Sequence, residues 1–340
     1  MYIVVPIMVL VAVLSLVMYF VSGEEPQEIS TTGTLFMSED GGLTWKLLPE
    51  FRGGDISTLD FDSVNNNSLI VGTQARGIWT GTRSGKDWIQ HPGGVGESSR
   101  VFDILQPITE NKYIALVLFN ERGRVLRYEN GDRTELFFTP LERFAFLKGY
   151  RTISGYLRII GSDGGFYESR NDGRTWRSTS RFQAGLLAMT FDPEKDNEIW
   201  VIDPNGDFYK STDGGVNWTN LTDRLREFQG YNQVGFIYFD PRAGILYHGS
   251  KHGLLRSFDG GASWQRVELT VAPESLPATS MAVDPNNSLK LYVAILNQVY
   301  ISEDGGSTWK GVQVTSGGVI TNMLVNPRNN REIFIGFRGI

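Results

Sequence analysis

The chain has 340 residues, 41% hydrophobic and 12% aromatic, which is ample for a large core, and a formal charge of −6. That mildly acidic balance argues against nucleic acid as a partner, which calls for a basic footprint. With no cysteine and three histidines (His91, His248, His252), the sequence offers neither a disulfide framework nor the ligand spacing of a metal site, and no cofactor is expected.

In chain order, the first element is apolar. Tyr2 to Ser22 contains no charged residue, long enough to cross a bilayer core of about 30 Å as a helix. Residues 1–23 therefore read as a transmembrane signal anchor, which would make the membrane a partner through residues 2–22. The alternative is a cleaved signal peptide, for which Val21-Ser22-Gly23 supplies a small-residue site, although such peptides have a shorter apolar core and usually a basic start. Residues 24–32, with Glu24, Glu25, Pro26 and Glu28, read as a polar linker.

From residue 33 a turn cassette, Ser-x-Asp-x-Gly-x-Thr-Trp, recurs. Its clean copies are Ser38 to Trp45 and Ser302 to Trp309. Ser169 to Trp176, Ser211 to Trp218 and Ser257 to Trp264 vary a position or two, and Gly81 to Trp88 and Tyr128 to Glu135 are worn. The eighth positions fall at 45, 88, 135, 176, 218, 264 and 309, so the period stays in the forties, the mark of a repeat fold. Six of the eight tryptophans (Trp45, Trp88, Trp176, Trp218, Trp264, Trp309) occupy that position. The cassette has a mechanical reading: Asp40, Asn171, Asp213, Asp259 and Asp304 hold a turn by bonding amides further along, glycine supplies a positive φ, and tryptophan buries a large apolar face.

Around each cassette lie short strand-like runs. In the repeat ending at Trp218, residues 186–191, 198–202 and 207–210 read as three strands, with Asn205-Gly206 as a hairpin turn, and Trp218 opens a fourth. Asp192-Pro193, Asp240-Pro241, Asp284-Pro285 and Asn326-Pro327 each break the chain after a first strand. A four-stranded unit of this length is a propeller blade. Residues 33–37 and 45–48 supply only a third and fourth strand, and 320–325 and 332–337 only a first and second. The expected fold is thus all-β, a seven-bladed β-propeller over 33–340 whose last blade joins both ends of the repeat region.

The cassettes then lie on one rim, the bottom. The turns between second and third strands, and the loops between blades, surround the top of the channel, where a ligand would bind. Arg338, Arg76 and Arg122 precede glycine in such turns on three consecutive blades, and the interblade loops over that arc carry Arg52, His91, Arg100 and Arg143. These suggest a basic sector suited to a carboxylate, sulfate or phosphate, since arginine binds planar anions bidentately. The competing reading makes them solvated turn residues or partners of Glu50, Glu97 and Glu121. On the opposite arc, the loop Asp223 to Tyr231 reads either as a lid or partner surface or as a segment packed on its own rim. The cassette acids are explained by turn structure, so no catalytic residue is assigned.

The cassettes resemble Asp-box, or BNR, repeats, and residues 33–340 resemble the propellers built from them, in layout most like the photosystem II assembly-factor-like and sortilin-like propellers. The resemblance implies an exported protein, here anchored with its propeller on the extracytoplasmic side. It also implies a binding or assembly role without catalysis, with a protein or acidic glycan as partner; an arginine patch is a feature of the assembly-factor group. Sialidases share the boxes but add an arginine triad, a Tyr-Glu pair and an Asp acid, and no arginine precedes Ser38 here. Xyloglucanases place their carboxylates between two propellers, and sortilin-type receptors add cysteine-rich modules. A glycoside hydrolase acting on acidic sugars remains the alternative reading, and a structural spacer a third.

Overall fold

The computed structural model describes residues 34–62, 67–91, 99–109, 112–129, 132–139, 142–270 and 277–339. The expected anchor (1–23) and linker (24–32) lie outside them. Among the described residues no helix is long and apolar enough to cross a membrane.

The described residues form seven four-stranded antiparallel sheets. We number them as blades: one (56–90), two (100–138), three (146–181), four (188–220), five (234–267), six (280–313), and seven, which combines 319–338 with 35–47. The first strands of successive blades touch all the way round, blade seven included, so the ring is closed. In blade seven the strand Leu35–Ser38 pairs with Ile333–Arg338 through Leu35↔Gly336 to Ser38↔Ile333. Sheet edges are a liability in open structures, and this pairing joins what would be the two loose edges of the ring.

Each repeated motif has a visible job. In the clean box Ser38 Oγ donates to Asp40 Oδ1 (2.8 Å) and accepts from Gly42 N (2.8 Å). Asp40 Oδ1 accepts from Leu43 N and Thr44 N (3.0 and 2.9 Å), and Thr44 Oγ1 donates to Asp40 Oδ2 (2.6 Å). One carboxylate thus satisfies the amides of a tight reversal that has no strand partner. The proline-marked turns use the same chemistry once more: the buried side chains of Asp192, Asp240, Asp284 and Asn326 each accept from the amide two residues on, at 2.8 to 3.1 Å.

The box tryptophans are interblade wedges. Trp218 meets Phe166 of blade three edge-on at 5.4 Å, Trp264 meets Phe208 of blade four at 5.6 Å, and Trp176 stacks on Phe137 of blade two at 5.9 Å. Each box therefore fastens its own turn and its blade to the preceding one.

The two worn copies depart from the expected turn. In blade one the reversal is one residue shorter and opens at Thr82, whose hydroxyl accepts from Lys86 N at 3.2 Å, as Ser38 accepts from Gly42, while Trp88 Nε1 still donates to Gly85 O at 3.0 Å. In blade two there is no eight-residue box over 128–135. Arg122–Glu129 and Asp132–Phe138 are continuous strands paired from Glu129↔Asp132 outward. Tyr128 is strand interior, buried and stacked on Tyr113 at 4.9 Å.

Candidate functional site: the basic sector of the top face

The turn between the second and third strands of blade one is fixed before its side chain is considered. Thr73 Oγ1 donates to Gly77 O (2.8 Å) and accepts from Arg76 N (2.9 Å), with Gly77 at φ +67°, a left-handed conformation that glycine adopts without a steric penalty. The Arg76 carbonyl accepts from Trp79 Nε1 (3.1 Å) and Gln90 Nε2 (2.9 Å), and Gly77 N donates to Ser99 O (3.1 Å) at the head of blade two. A rigid backbone thereby presents the guanidinium, whose Nη1 donates to Arg52 O at 3.0 Å.

Arg338 arrives from the other side. It ends the second strand of blade seven, and the next residue, Gly339, donates its amide to Asp55 Oδ1 at 3.0 Å. The Asp55 carbonyl accepts from Gln74 N (2.9 Å), two residues before Arg76. Asp55 therefore ties the Arg338 strand end, the Arg52 loop and the Arg76 turn together. Arg52 is exposed, and Arg76 and Arg338 are half-buried.

The remaining candidates lie further along the ring. Arg100, next to Ser99, lays its guanidinium over the Phe102 ring at 4.5 Å. Arg122 occupies the turn of blade two that corresponds to Arg76 and bridges to Phe144 as Arg76 does to Ser99. Its guanidinium pairs with Glu142 at 3.3 Å, with both side chains exposed, an ion pair of small energetic weight. His91 faces elsewhere: its Nε2 sits 2.8 Å from Thr80 Oγ1 and its ring stands edge-on to Tyr113 and Tyr128 (6.1 and 6.4 Å). Burial pushes its pKa down, the opposite of what an anion-binding imidazolium needs. The sector thus brings the backbone segments that carry Arg52, Arg76 and Arg338 together at Asp55, continues to Arg100, and reaches an Arg122 that already has a carboxylate.

Two further features were not singled out in the sequence. Asp55 itself, the residue just ahead of the blade-one first strand, carries no motif. In the ring of first strands, the buried Asp103 of blade two accepts from Lys148 Nζ (2.9 Å) and Gly149 N (3.0 Å) of blade three, a pairing that depends on register between repeats. Among the described residues no group of three or more His, Asp or Glu side chains gathers as metal ligands would.

On the opposite arc the long loop is packed on its own rim. Leu225 is fully buried, Phe228 meets the His252 ring at 5.3 Å, and Gln229 O accepts from His252 Nδ1 at 2.9 Å.

A family model described as "Photosynthesis system II assembly factor YCF48" matches residues 179–336. Among curated proteins, a probable oligoxyloglucan-reducing end-specific xyloglucanase of Neosartorya fischeri is 30% identical over 134 residues, 38% of this chain and 15% of its own length. A xyloglucanase of Paenibacillus sp is 22% identical over 329 residues, 78% of this chain and 32% of its own. The chain thus spans about a third or less of those two enzymes. Among solved structures, YCF48 from Cyanidioschyzon merolae aligns with a TM-score of 0.67 at 14% identity, covering 86% of this chain and 98% of that one. YCF48 bound to a D1 peptide gives 0.66 at 12%, covering 85% and 93%. The GH74 xyloglucanase from Xanthomonas campestris gives 0.69 at 14%, covering 84% and 51%. At these identities the structural likeness establishes the fold.

Proposed function

We propose, from the premise that this chain is a BNR-type (Asp-box) β-propeller close to the photosystem II assembly factors, that it is a binding or assembly propeller without catalytic activity. In this reading residues 2–22 tether it to a membrane, the propeller lies on the extracytoplasmic side, and the top-face sector takes an acidic group of its partner. The observation that carries the reading is that Asp55 ties the strand end after Arg338 to the Arg76 turn by hydrogen bonds from backbone amides, while the Arg76 guanidinium donates to Arg52 O on a backbone held by Thr73, Gly77 and Ser99. Guanidinium groups suit planar anions. That a YCF48 has been solved with a D1 peptide supports a protein ligand for propellers of this shape.

Titration of the full chain with an acidic peptide and with a sulfated glycan tests the site. Wild type should bind at least one, and Arg76→Ala with Arg338→Ala should weaken that binding tenfold or more. Undiminished binding by the double variant would sink the reading. A second reading, glycoside hydrolysis, draws on the similarity to xyloglucanases; release of reducing ends from xyloglucan or of sialic acid from sialosides by the purified chain would favour it.

A further inference from the structure

Blade two is where the repeat departs most from its neighbours. In place of a box, its third strand Arg122–Glu129 and fourth strand Asp132–Phe138 pair from Glu129↔Asp132. Fourth strands are the outer edges of the blades, and in the other six they have only two to five residues. This one has seven, with Asp132 to Glu135 and Phe138 exposed, and it contains neither lysine nor proline. Shortness, lysine and proline are the usual means by which proteins keep an edge from pairing.

The ladder register shows which groups face outward. Thr139 N donates to Gly123 O at 3.0 Å. Opposed residues of an antiparallel pair alternate between those that exchange both backbone bonds and those that exchange none. From Gly123, the bonded residues of the third strand are then Val125, Arg127 and Glu129, whose partners are Phe137, Thr134 and Asp132. Arg133 and Glu135 therefore turn N–H and C=O outward, and no described backbone group pairs with them. A register shift between Glu135 and Phe137 ends the straight edge.

We propose that this edge pairs with the same edge of a second copy of the chain, antiparallel, about a two-fold axis through Thr134. Arg133 of each copy then lies opposite the partner's Glu135, and each such pair exchanges both backbone bonds. Opposite charges meet across both pairs, and the two threonines lie side by side. Registers centred on Arg133 or on Glu135 also bring outward groups together, but they put like charges opposite one another. Net charge does not resist the approach: Arg133 and Arg124, the latter paired with Glu135, balance Asp132 and Glu135 within each copy. Glu129, at the hairpin end, has Lys112 and Arg127 at 3.9 and 3.7 Å. The bulge stops the pairing from running on, and an isologous contact closes at two copies.

Sedimentation equilibrium of the full-length chain in mild detergent tests this. Wild type should pass from monomer to dimer as concentration rises. Arg133→Pro removes an outward N–H and no inner ladder bond, while Arg133→Glu and Glu135→Arg each set like charges opposite one another. Each variant alone should dimerise about tenfold more weakly or worse, with its melting temperature nearly unchanged. Arg133→Glu mixed with Glu135→Arg should recover dimerisation, because every charge again meets its opposite; a variant that merely misfolded would not recover. A chain that is monomeric at every concentration, a dimer that none of the three variants weakens, or a mixture no tighter than its components overturns the proposal. A monomeric chain whose binding of an acidic peptide is lost in Arg133→Pro assigns the edge to a foreign strand and overturns the second copy.

Discussion

Lys148 of blade three reaches across the ring of first strands to Asp103 of blade two, 2.9 Å away, and Asp103 also accepts the neighbouring Gly149 amide at 3.0 Å. Asp103 is buried while the lysine is half exposed, so the cost of burying charge falls on one partner. Its carboxylate is a buried bolt between two blades that are also linked nearer the rims, by Arg127 and Lys112 to Asp172 and by Arg122 to Glu142.

Asp103→Ala should leave the Gly149 amide without its acceptor and should free Lys148. We expect a loss of about 2 kcal/mol, between an unsatisfied buried donor and a fully buried ion pair. It is read as a lower urea midpoint with unchanged slope.

Glu168 is the more demanding case. It is buried, and it accepts from the buried Arg158 (3.0 Å), from Arg170 (2.7 Å) and from Arg177 (2.6 Å), while Arg158 also donates to Tyr150 Oη (3.1 Å). Glu168→Ala leaves a guanidinium buried without its counter-ion, at a cost of about 3 kcal/mol. Arg170→Ala, which removes an exposed partner, should leave the denaturation midpoint nearly unchanged. Similar losses from both variants in parallel denaturation curves would refute the buried arginine as the source.

The boxes predict a tolerant and an intolerant substitution at one position. Asp304 accepts from Thr308 Oγ1 (2.6 Å), Thr308 N (2.8 Å), Ser302 Oγ (2.8 Å) and Ser307 N (3.0 Å), and the Thr308 hydroxyl foremost, then its amide, hold its pKa down at about 2. Asp304→Ala should lower the melting temperature by about 1 to 2 °C, as the loss of one local cap does in a domain of this size. Asp304→Asn should be nearly silent, because blade three already carries Asn171, whose oxygen accepts from Thr175 N and whose amide donates to Thr175 Oγ1, both at 2.9 Å.

His248 sets an acid limit. Its ring is fully buried, edge-on to Trp264 at 5.9 Å, with no hydrogen-bond partner for either nitrogen, and burial pushes its pKa down to about 4. A base whose folded pKa lies below its unfolded value binds more protons when unfolded, so its contribution is intact above about pH 6.5 and is lost as pH falls towards 4. The lost stability amounts to up to ~3 kcal/mol. His248→Leu should flatten that part of the stability profile relative to wild type; parallel profiles between pH 4 and 7 would contradict it.

The parts of the fold that rest on local chemistry were legible. Ser38, Asp40 and Thr44 act within seven residues, so the cassette announced its turn, and the turn spacing announced seven blades and a shared last one. Where a repeat solved the same reversal differently, as Thr82 does with a shorter turn and Glu129↔Asp132 does with long paired strands, counting positions aligned residues that are not equivalent. Contacts between repeats were opaque for a related reason. Arg122 takes Glu142 as its partner rather than Glu121, and His91 turns into the wall between blades one and two, because a two-residue fourth strand leaves its register to the neighbouring blade. Asp55 escaped notice because its partner, Gly339, is 284 residues away.

The shared blade also sets a clock on biosynthesis. Leu35–Ser38 leaves the ribosome early, but the strand it pairs with begins at Ile333. At about 5 to 20 residues per second that is roughly 15 to 60 s with an unpartnered hydrophobic edge. For that interval the nascent chain is an open spiral rather than a ring, and the first strand to emerge is the one a chaperone has most reason to hold.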